Sequence, residues 1–355
     1  MRGKRLFLPG LIQILIATCP AAADRIDDFI TAEMGKRNVP GLSLAVCREG
    51  KVIKARGFGL ANVELNVAAT EESVFEIGSV TKQFTAAAVL MLAEEGKIRL
   101  DERISRYLDG LPAAWSNITV RHLLTHTSGL RNYTGLPGFE ATKHVNSDAF
   151  IKALAAYPLN SQAGDSWAYC NSGYNLLGFI IEKVSGKSYW QFLDERIFKP
   201  AGMISTRSRD LKTVIQRRAS GYETEKGRLI NRDSDLTDVF SAGAMVSSVL
   251  DLAKWAAALD TDKLLKTSSR EAMWSPVRLN GGRTHPYGFG WGIDEFRGHK
   301  NIGHSGSTSG FSASLQRFPD DRLSVIVLCN SGEDGVASAV AKGVAEIELA
   351  LRPRL

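Results

Sequence analysis

Residues 75–96 read Phe75-Glu76-Ile77-Gly78-Ser79-Val80-Thr81-Lys82-Gln83-Phe84-Thr85-Ala86-Ala87-Ala88-Val89-Leu90-Met91-Leu92-Ala93-Glu94-Glu95-Gly96. The stretch predicts a helix from Ser79 to Glu95 with Gly96 as its stop. From Ala86 to Ala93 the helix is apolar on every side, which predicts burial rather than a surface position. Its first turn carries a serine and, three residues on, a lysine. Positions i and i+3 share a helix face, so Lys82 can lie beside the Ser79 hydroxyl. A serine hydroxyl is a weak nucleophile and needs an adjacent base. The positive end of the helix and burial both disfavour a cation at Lys82, pushing it toward the neutral amine that can take a proton. Taken alone, S-x-x-K also describes a serine that caps a helix with a lysine in its first turn.

Upstream, Asp24 to Lys36 has the pattern of an amphipathic helix. Leu42–Cys47 and Val52–Phe58 are strand-like runs around Arg48-Glu49-Gly50-Lys51, a hairpin signal. Downstream to about residue 284 the pattern is mostly helical. One helix begins at Ser147 and carries Phe150, Ile151 and Leu154. A second runs from about Ser172 through Ile181 to Gly186. Ser247 is expected to cap a third, with Leu250, Leu252 and Trp255. The end of the chain changes character: Tyr287–Phe296, Phe311–Phe318 and Leu323–Cys329 are β-rich, Pro319-Asp320-Asp321 reads as a turn, and a helix closes the chain at about 334–351. Strands at both ends around a helical middle predict an α/β (α+β) fold, with one antiparallel sheet built from both termini, flanked by helices, and a mostly helical domain inserted. The expected division is a signal peptide at 1–23, a sheet-and-helix domain at 24–78 plus 285–355, and a helical domain at 79–284, with the site between the last two.

The N-terminus is expected to be an export signal. Arg2, Lys4 and Arg5 precede a nearly apolar run from Leu6 to Ala17, and Ala21-Ala22-Ala23 supplies small residues for cleavage after Ala23. An uncleaved anchor is disfavoured by Pro9, Gly10 and the shortness of the run. A lipid on Cys19 is disfavoured by Thr18 before it. No stable membrane span is expected after cleavage, and the expected location is periplasmic or secreted. The 44 basic and 38 acidic residues give a net charge of +6. Without the three cations of the signal this falls to +3, too little to point to nucleic acid. Cys47, Cys170 and Cys329 are neither a disulfide framework nor a zinc pattern. A Cys47–Cys329 bridge requires their two segments to be neighbouring strands.

Two further groups of residues carry chemistry. Tyr169-Cys170-Asn171 offers a hydroxyl that can relay a proton and an amide that can donate to and accept from a substrate amide; a buried tyrosine followed by a helix-capping asparagine has the same pattern. Gly303-His304-Ser305-Gly306-Ser307 would let an edge strand approach a ligand closely, its backbone N–H pairing with that of Ser79 as an oxyanion hole; a Gly/Ser-rich hairpin with an exposed histidine is the alternative. His122 and His126 have metal-pair spacing, but Leu123 stands where H-E-x-x-H needs its glutamate, and neither a metal nor a cofactor is expected. Cys170 reads as a small filler facing away, Trp291 as a packing residue, and Phe311 as either pocket lining or packing.

S-x-x-K, Y-x-N and H-x-G in this order resemble the penicillin-recognising serine hydrolases: class C β-lactamases, DD-peptidases and their esterase and D-aminopeptidase relatives. The resemblance extends to Phe75–Gly78, Ile118–Leu130, Tyr169–Gly178, Pro200–Met203, Ala242–Leu252 and Tyr287–Gly292, covering about residues 25–350. It implies that Ser79 is acylated, Lys82 is its base partner, and Tyr169 assists proton transfer to and from the leaving group. It implies that Asn171 holds a substrate carbonyl, that His304, Ser305, Gly306 and Ser307 form the substrate-facing strand, and that the Ser79 and Ser307 amides form the oxyanion hole. His304 stands where class C β-lactamases have lysine, which lowers the expectation of efficient β-lactamase action. The expected function is a serine hydrolase of the DD-peptidase or D-aminopeptidase kind acting on a small-molecule or peptide substrate. An esterase or weak β-lactamase is the alternative within enzymes, and a non-catalytic penicillin or muropeptide sensor the alternative outside them. Ser79, Lys82 and Tyr169 together favour turnover over sensing, and a purely structural interaction module would not require such a polar constellation. The oligomeric state is not legible in the sequence.

Overall fold

The computed structural model describes residues 20–137, 146–232, 235–237 and 239–351. Most of the expected leader therefore lies outside the described residues. The chain opens with α1 (Pro20–Arg37), β1 (Gly41–Arg48), β2 (Lys51–Asn62), β3 (Val67–Ala68), β4 (Phe75–Glu76) and α2 (Thr81–Glu94). The middle holds α3 (Val120–Leu124), α4 (Ser147–Ala155), α5 (Asn171–Ser185), α6 (Tyr189–Leu193), α7 (Lys199–Ala201), β5 (Arg207–Ser208), β6 (Tyr222–Glu225) and β7 (Arg228–Asn231). Then come α8 (Phe240–Gly243), β8 (Met245–Ser247), α9 (Val249–Ala258), α10 (Thr267–Met273), β9 (Val277–Arg278) and β10 (Thr284–His285). The chain closes with β11 (Gly292–Phe296), β12 (His299–Thr308), β13 (Phe311–Phe318), β14 (Leu323–Cys329) and α11 (Val336–Leu351).

The main sheet is antiparallel in the order β11-β12-β13-β14-β1-β2-β3, so strands from both chain ends meet at the β14–β1 pair. Its central strands are buried on both faces, and alternate residues serve two cores. Leu42, Leu44 and Val46 of β1 and Val325, Val327 and Cys329 of β14 pack with Ile26 and Ile30 of α1 and with Val336, Val340 and Val344 of α11. Ala45 and Cys47 of β1 and Ile326 and Leu328 of β14 face the other way, into the core built with α2, α5 and α9. This parity excludes the Cys47–Cys329 bridge. The strands are neighbours, but Cys47 opposes Ser324 and Cys329 opposes Leu42. The two thiols sit at opposite ends of the pair and on opposite faces, and both are free.

The expected helices at 147 and 172 form, with Asn146 capping α4 and a left-handed Gly186 ending α5. The cap of α9 is Ser248, whose side chain accepts the Asp251 N–H; Ser247, the expected cap, ends β8 and bonds Thr206 instead. The middle of the chain also carries six short strands (β5 to β10) that the helical pattern did not announce. Each is two to four residues long, too short for a period-two signal. Trp291 is fully buried against Trp274, and Phe311 is buried edge-on to Phe75, so both pack rather than line an opening.

Candidate active site

The helix that follows Ser79, the candidate nucleophile, begins two residues later than its sequence pattern. Gly78–Val80 forms a 3₁₀ turn and α2 proper starts at Thr81. Gly78 has φ +47°, and a Cβ there would lie 2.7 Å from the Ser307 nitrogen. A Cβ on Gly306 would collide with the Ile77 carbonyl and lie 2.9 Å from the Ser79 nitrogen. The two glycines thus allow the backbone of β12 to press against the turn that carries Ser79. Strand β11 pairs with β12 only from His299 to Gly303, so residues 304–308 form a free edge beside that turn. The first N–H groups of a helical segment have no intrahelical acceptor, and the Ser79 amide is one of these.

Helix α2 is buried along nearly its whole length. Each fully buried Leu or Phe of such a helix contributes roughly 1.5–3 kcal/mol. Lys82, in its first turn, is also fully buried. Its Nζ lies 3.0 Å from Ser79 Oγ, 2.7 Å from Asn171 Oδ1 and 2.7 Å from the Ala242 carbonyl oxygen. Among the described residues no carboxylate shares these contacts, and burial holds the amine well below the ordinary lysine value. The rings of Tyr169 and Tyr174, 4.8 and 5.4 Å from Nζ, favour an ammonium. Such contacts contribute about 2 kcal/mol when desolvated, less than the several kcal/mol that burial of an ammonium costs. As a neutral amine, Lys82 gives its two hydrogens to Asn171 and Ala242 and turns its lone pair to the Ser79 hydroxyl. Ala242 enters the sequence reading only as the start of a stretch that resembles the family, with no role of its own; a backbone carbonyl leaves no side-chain signal. Its own N–H is fixed by Asn175 Oδ1 at 3.2 Å.

Tyr169 is half-buried, and its hydroxyl, which has no close hydrogen-bond partner among the described residues, lies beside the Ser79 hydroxyl. Burial pushes its pKa up, with the nearby Ser79 hydroxyl opposing, so the phenol keeps its proton. Asn171 opens α5 with its N–H on Asn132 Oδ1 and its Nδ2 3.4 Å from Thr134 Oγ1. Cys170, between them, points away: its Sγ faces the Leu130 and Arg131 carbonyls. Ser79, Asn171 and Ser307 line one opening together with Thr134, Asp235 and Leu236, a volume of about 450 Å³. Ser305 and Ser307 are exposed and Gly306 is buried on the same strand. His304 lies to the other side of Tyr169, half-buried, with Tyr287 Oη 2.9 Å from Nε2 and the Ser305 carbonyl 2.6 Å from Nδ1.

The strand edge is anchored from below by a buried ion pair absent from the sequence reading. Glu76 Oε1 accepts from Arg209 Nε at 3.2 Å, and Glu76 Oε2 accepts from Thr308 Oγ1 at 2.7 Å. Nothing in the spacing of residues 76, 209 and 308 announces that they meet. His122 and His126 have separate partners: His122 closes a capping box with Thr119, whereas His126 is buried under Cys170. The described residues hold no cluster of three or more potential metal ligands.

The family model described as Beta-lactamase matches residues 26–348. The chain belongs to the β-lactamase family. Penicillin-binding protein 4* of Bacillus subtilis (strain 168) is 32% identical over 319 residues, which cover 85% of this chain and 70% of that one. Protein flp of Staphylococcus aureus (strain MW2) is 28% identical over 89% of this chain and 64% of its own. The chain thus spans about two thirds of the length of these curated relatives. An octameric penicillin-binding protein homologue from Pyrococcus abyssi superposes with a TM-score of 0.81 at 31% identity, over 92% of this chain and 77% of that one. D-amino acid amidase from Ochrobactrum anthropi SV3, complexed with D-phenylalanine, gives 0.81 at 26% identity over 94% of this chain and all of its own. These similarities make the protein a serine hydrolase of the β-lactamase family, with the antiparallel sheet and helices of that fold.

Proposed function

We propose that this β-lactamase family member hydrolyses amide bonds of small amino-acid or peptide substrates, in the manner of a DD-peptidase or D-aminopeptidase, through an acyl-enzyme on Ser79. The arrangement of Lys82 carries the reading: it is fully buried, free of any carboxylate among the described residues, and has two acceptors for its two hydrogens and Ser79 Oγ 3.0 Å away. Ser79 Oγ attacks the substrate carbonyl carbon while its proton passes to Lys82 Nζ. The oxyanion that forms lies between the N–H groups of Ser79 and Ser307. Asn171 keeps Oδ1 on Lys82 and offers Nδ2 to a substrate carbonyl. As the intermediate collapses, Tyr169 gives its proton to the departing amine and is reprotonated from Lys82. Water then attacks the acyl-enzyme by the reverse proton path, releasing acid and free Ser79. Similarity to a D-amino acid amidase along the whole of its length supports an amide over an ester substrate.

The test is intact-mass spectrometry and turnover with three probes: a D-amino acid amide, p-nitrophenyl acetate and a penicillin. Turnover of the amide, lost by at least a thousandfold in Ser79→Ala, is the expected outcome. Rapid ester turnover with no amide turnover would make the protein an esterase. A long-lived penicillin adduct on Ser79 with no turnover would make it a sensor. We also propose export, supported by the basic, apolar and Ala21–Ala23 segments of the N-terminus; secreted protein retaining Met1 would overturn cleavage.

A further inference from the structure

Two recesses flank the reacting groups. Tyr169, which gives its proton to the departing amine, lines one of them together with His304 and Tyr287. The leaving group belongs on that side, and the acyl portion that stays on Ser79 belongs in the other recess. This second recess has a volume of about 450 Å³, and Ser79, Asn171 and Ser307 share its wall with Thr134, Asp235 and Leu236. Among the described residues that line it, Asp235 is the one charged side chain; the others offer hydroxyls, an amide, backbone and apolar surface.

Asp235 is exposed, and both of its hydrogen bonds fall on one oxygen. Its Oδ1 accepts the Thr237 backbone N–H at 2.9 Å and the Thr237 hydroxyl at 2.6 Å. These bonds orient the carboxylate and leave Oδ2 for another donor. No lysine or arginine among the described residues pairs with it. The next residue, Leu236, is buried, and its carbonyl accepts the Val239 N–H at 2.9 Å. That turn runs directly into α8, whose Ala242 carbonyl holds Lys82. The carboxylate is thus tied to the same segment that sets the base. A carboxylate on the wall of a cleft draws cations and repels anions. A neutral group placed over it strips its water and returns nothing, whereas an ammonium brings both a donor and the opposite charge.

We propose that Asp235 is a specificity-determining residue that takes an ammonium on the acyl portion of the substrate, so that the site prefers short peptides and amino-acid derivatives with an unblocked amino end to their N-acylated counterparts. The choice of acyl side rests on the amide-hydrolase reading, in which Tyr169 serves the leaving group. Asn171 and Asp235 line the same recess and ask for different groups. A substrate with one residue ahead of the scissile one supplies both: its peptide carbonyl meets Asn171 Nδ2, and its terminal ammonium meets Asp235. An acyl cap removes the charge and adds bulk toward Leu236 and Val239. A role confined to shaping the turn through Thr237 is separable from this one, because asparagine keeps the turn: its Oδ1 accepts the same two bonds, and only the charge is lost.

The first test is binding, which does not depend on turnover. In Ser79→Ala protein at about pH 7, where a terminal amine is mostly protonated, NMR titration compares glycyl-D-alaninamide with N-acetylglycyl-D-alaninamide. The free-amine ligand should bind about tenfold more tightly, the scale of one hydrogen bond to a charged group. Adding Asp235→Asn should bring the two ligands within about threefold of each other, the spread left by weak exposed contacts. Equal binding with Asp235 in place, binding of neither ligand, or a preference that survives Asp235→Asn would overturn the proposal. The second test is release of p-nitroaniline from glycyl-D-alanine p-nitroanilide and its N-acetyl form by protein with Ser79 intact. The ratio of the two kcat/KM values should favour the free amine in wild type and fall by about tenfold in Asp235→Asn. A ratio unmoved by Asp235→Asn would overturn the proposal. A binding preference that follows Asp235, with neither anilide hydrolysed, would instead count against the amide-hydrolase reading and leave the ammonium site standing.

Discussion

Gly306→Ala is the sharpest test of how the strand edge meets the nucleophile. The glycine lies in an ordinary extended strand, without positive φ, so the added methyl brings no backbone strain of its own. What it brings is volume where none exists: the new Cβ would overlap the Ile77 carbonyl and sit 2.9 Å from the Ser79 nitrogen. Neither neighbour can yield by rotating a side chain, because both are backbone atoms. The strand and the 3₁₀ turn must separate, by on the order of 1 Å, the displacement that costs about a hundredfold when it misplaces a reacting group. The same separation moves the Ser307 N–H off the oxyanion position, and loss of one such donor costs about 10²–10³ in rate. The expected fall in kcat/KM is therefore about 10²–10³, or roughly 3–4 kcal/mol of transition-state stabilisation. Steady-state hydrolysis of p-nitrophenyl acetate measures it, with circular dichroism to show that the sheet persists. Gly35→Ala is the control, since nothing lies within 4 Å of a Cβ at Gly35. If Gly306→Ala retained activity within about threefold of wild type, the proposed oxyanion hole would be wrong.

Three other outcomes follow from the same structure. If Lys82 is the base, kcat/KM rises with pH as the amine loses its proton and falls as pH drops through its pKa, so the acid limb must lie well below 10.5; Lys82→Arg, which cannot become neutral, should lose at least about a thousandfold. A limb near 10.5, or an active arginine variant, would remove Lys82 from that role. Arg209→Met leaves the Glu76 carboxylate buried without its guanidinium, an expected loss of about 3–5 kcal/mol in denaturant unfolding, with reduced turnover because Glu76 also holds Thr308. Burial pushes the Cys47 thiol up to about 12 and Cys329 up to about 11. Alkylation of the folded protein should therefore be slow at both, fast only in denaturant, and reductant should leave the melting temperature unchanged.

Much of the fold was legible because it is written in local patterns. The hairpin around Arg48–Lys51, the buried helix behind Ser79 and the β-rich end of the chain from Tyr287 are read from apolar runs, turn residues and a terminating glycine. The short strands β5 to β10 were not legible, since two to four residues carry no period. The shift of the α9 cap from Ser247 to Ser248 is a one-residue choice between adjacent serines, decided by β8 claiming the first. The disulfide question shows the limit more sharply. Sequence could suggest that the strands holding Cys47 and Cys329 are neighbours, but only register and face parity put the sulfurs out of reach.

The site divides in the same way. Ser79 and Lys82 are joined by helix periodicity, so the sequence by itself determined that the hydroxyl and the amine can share a face. Tyr169, Asn171 and His304 were found by the order of motifs, which says that residues belong together but not what each one touches. Only the tertiary structure decided that Lys82 is balanced by the Ala242 carbonyl rather than a carboxylate, and that His304 has its nitrogens turned to Tyr287 and Ser305. Backbone carbonyls have no side-chain signature, and hydrogen bonds between residues 126, 287 and 304 follow no chain period. They exist because folding brings distant parts of the chain together, where polar groups that lose water take one another as partners.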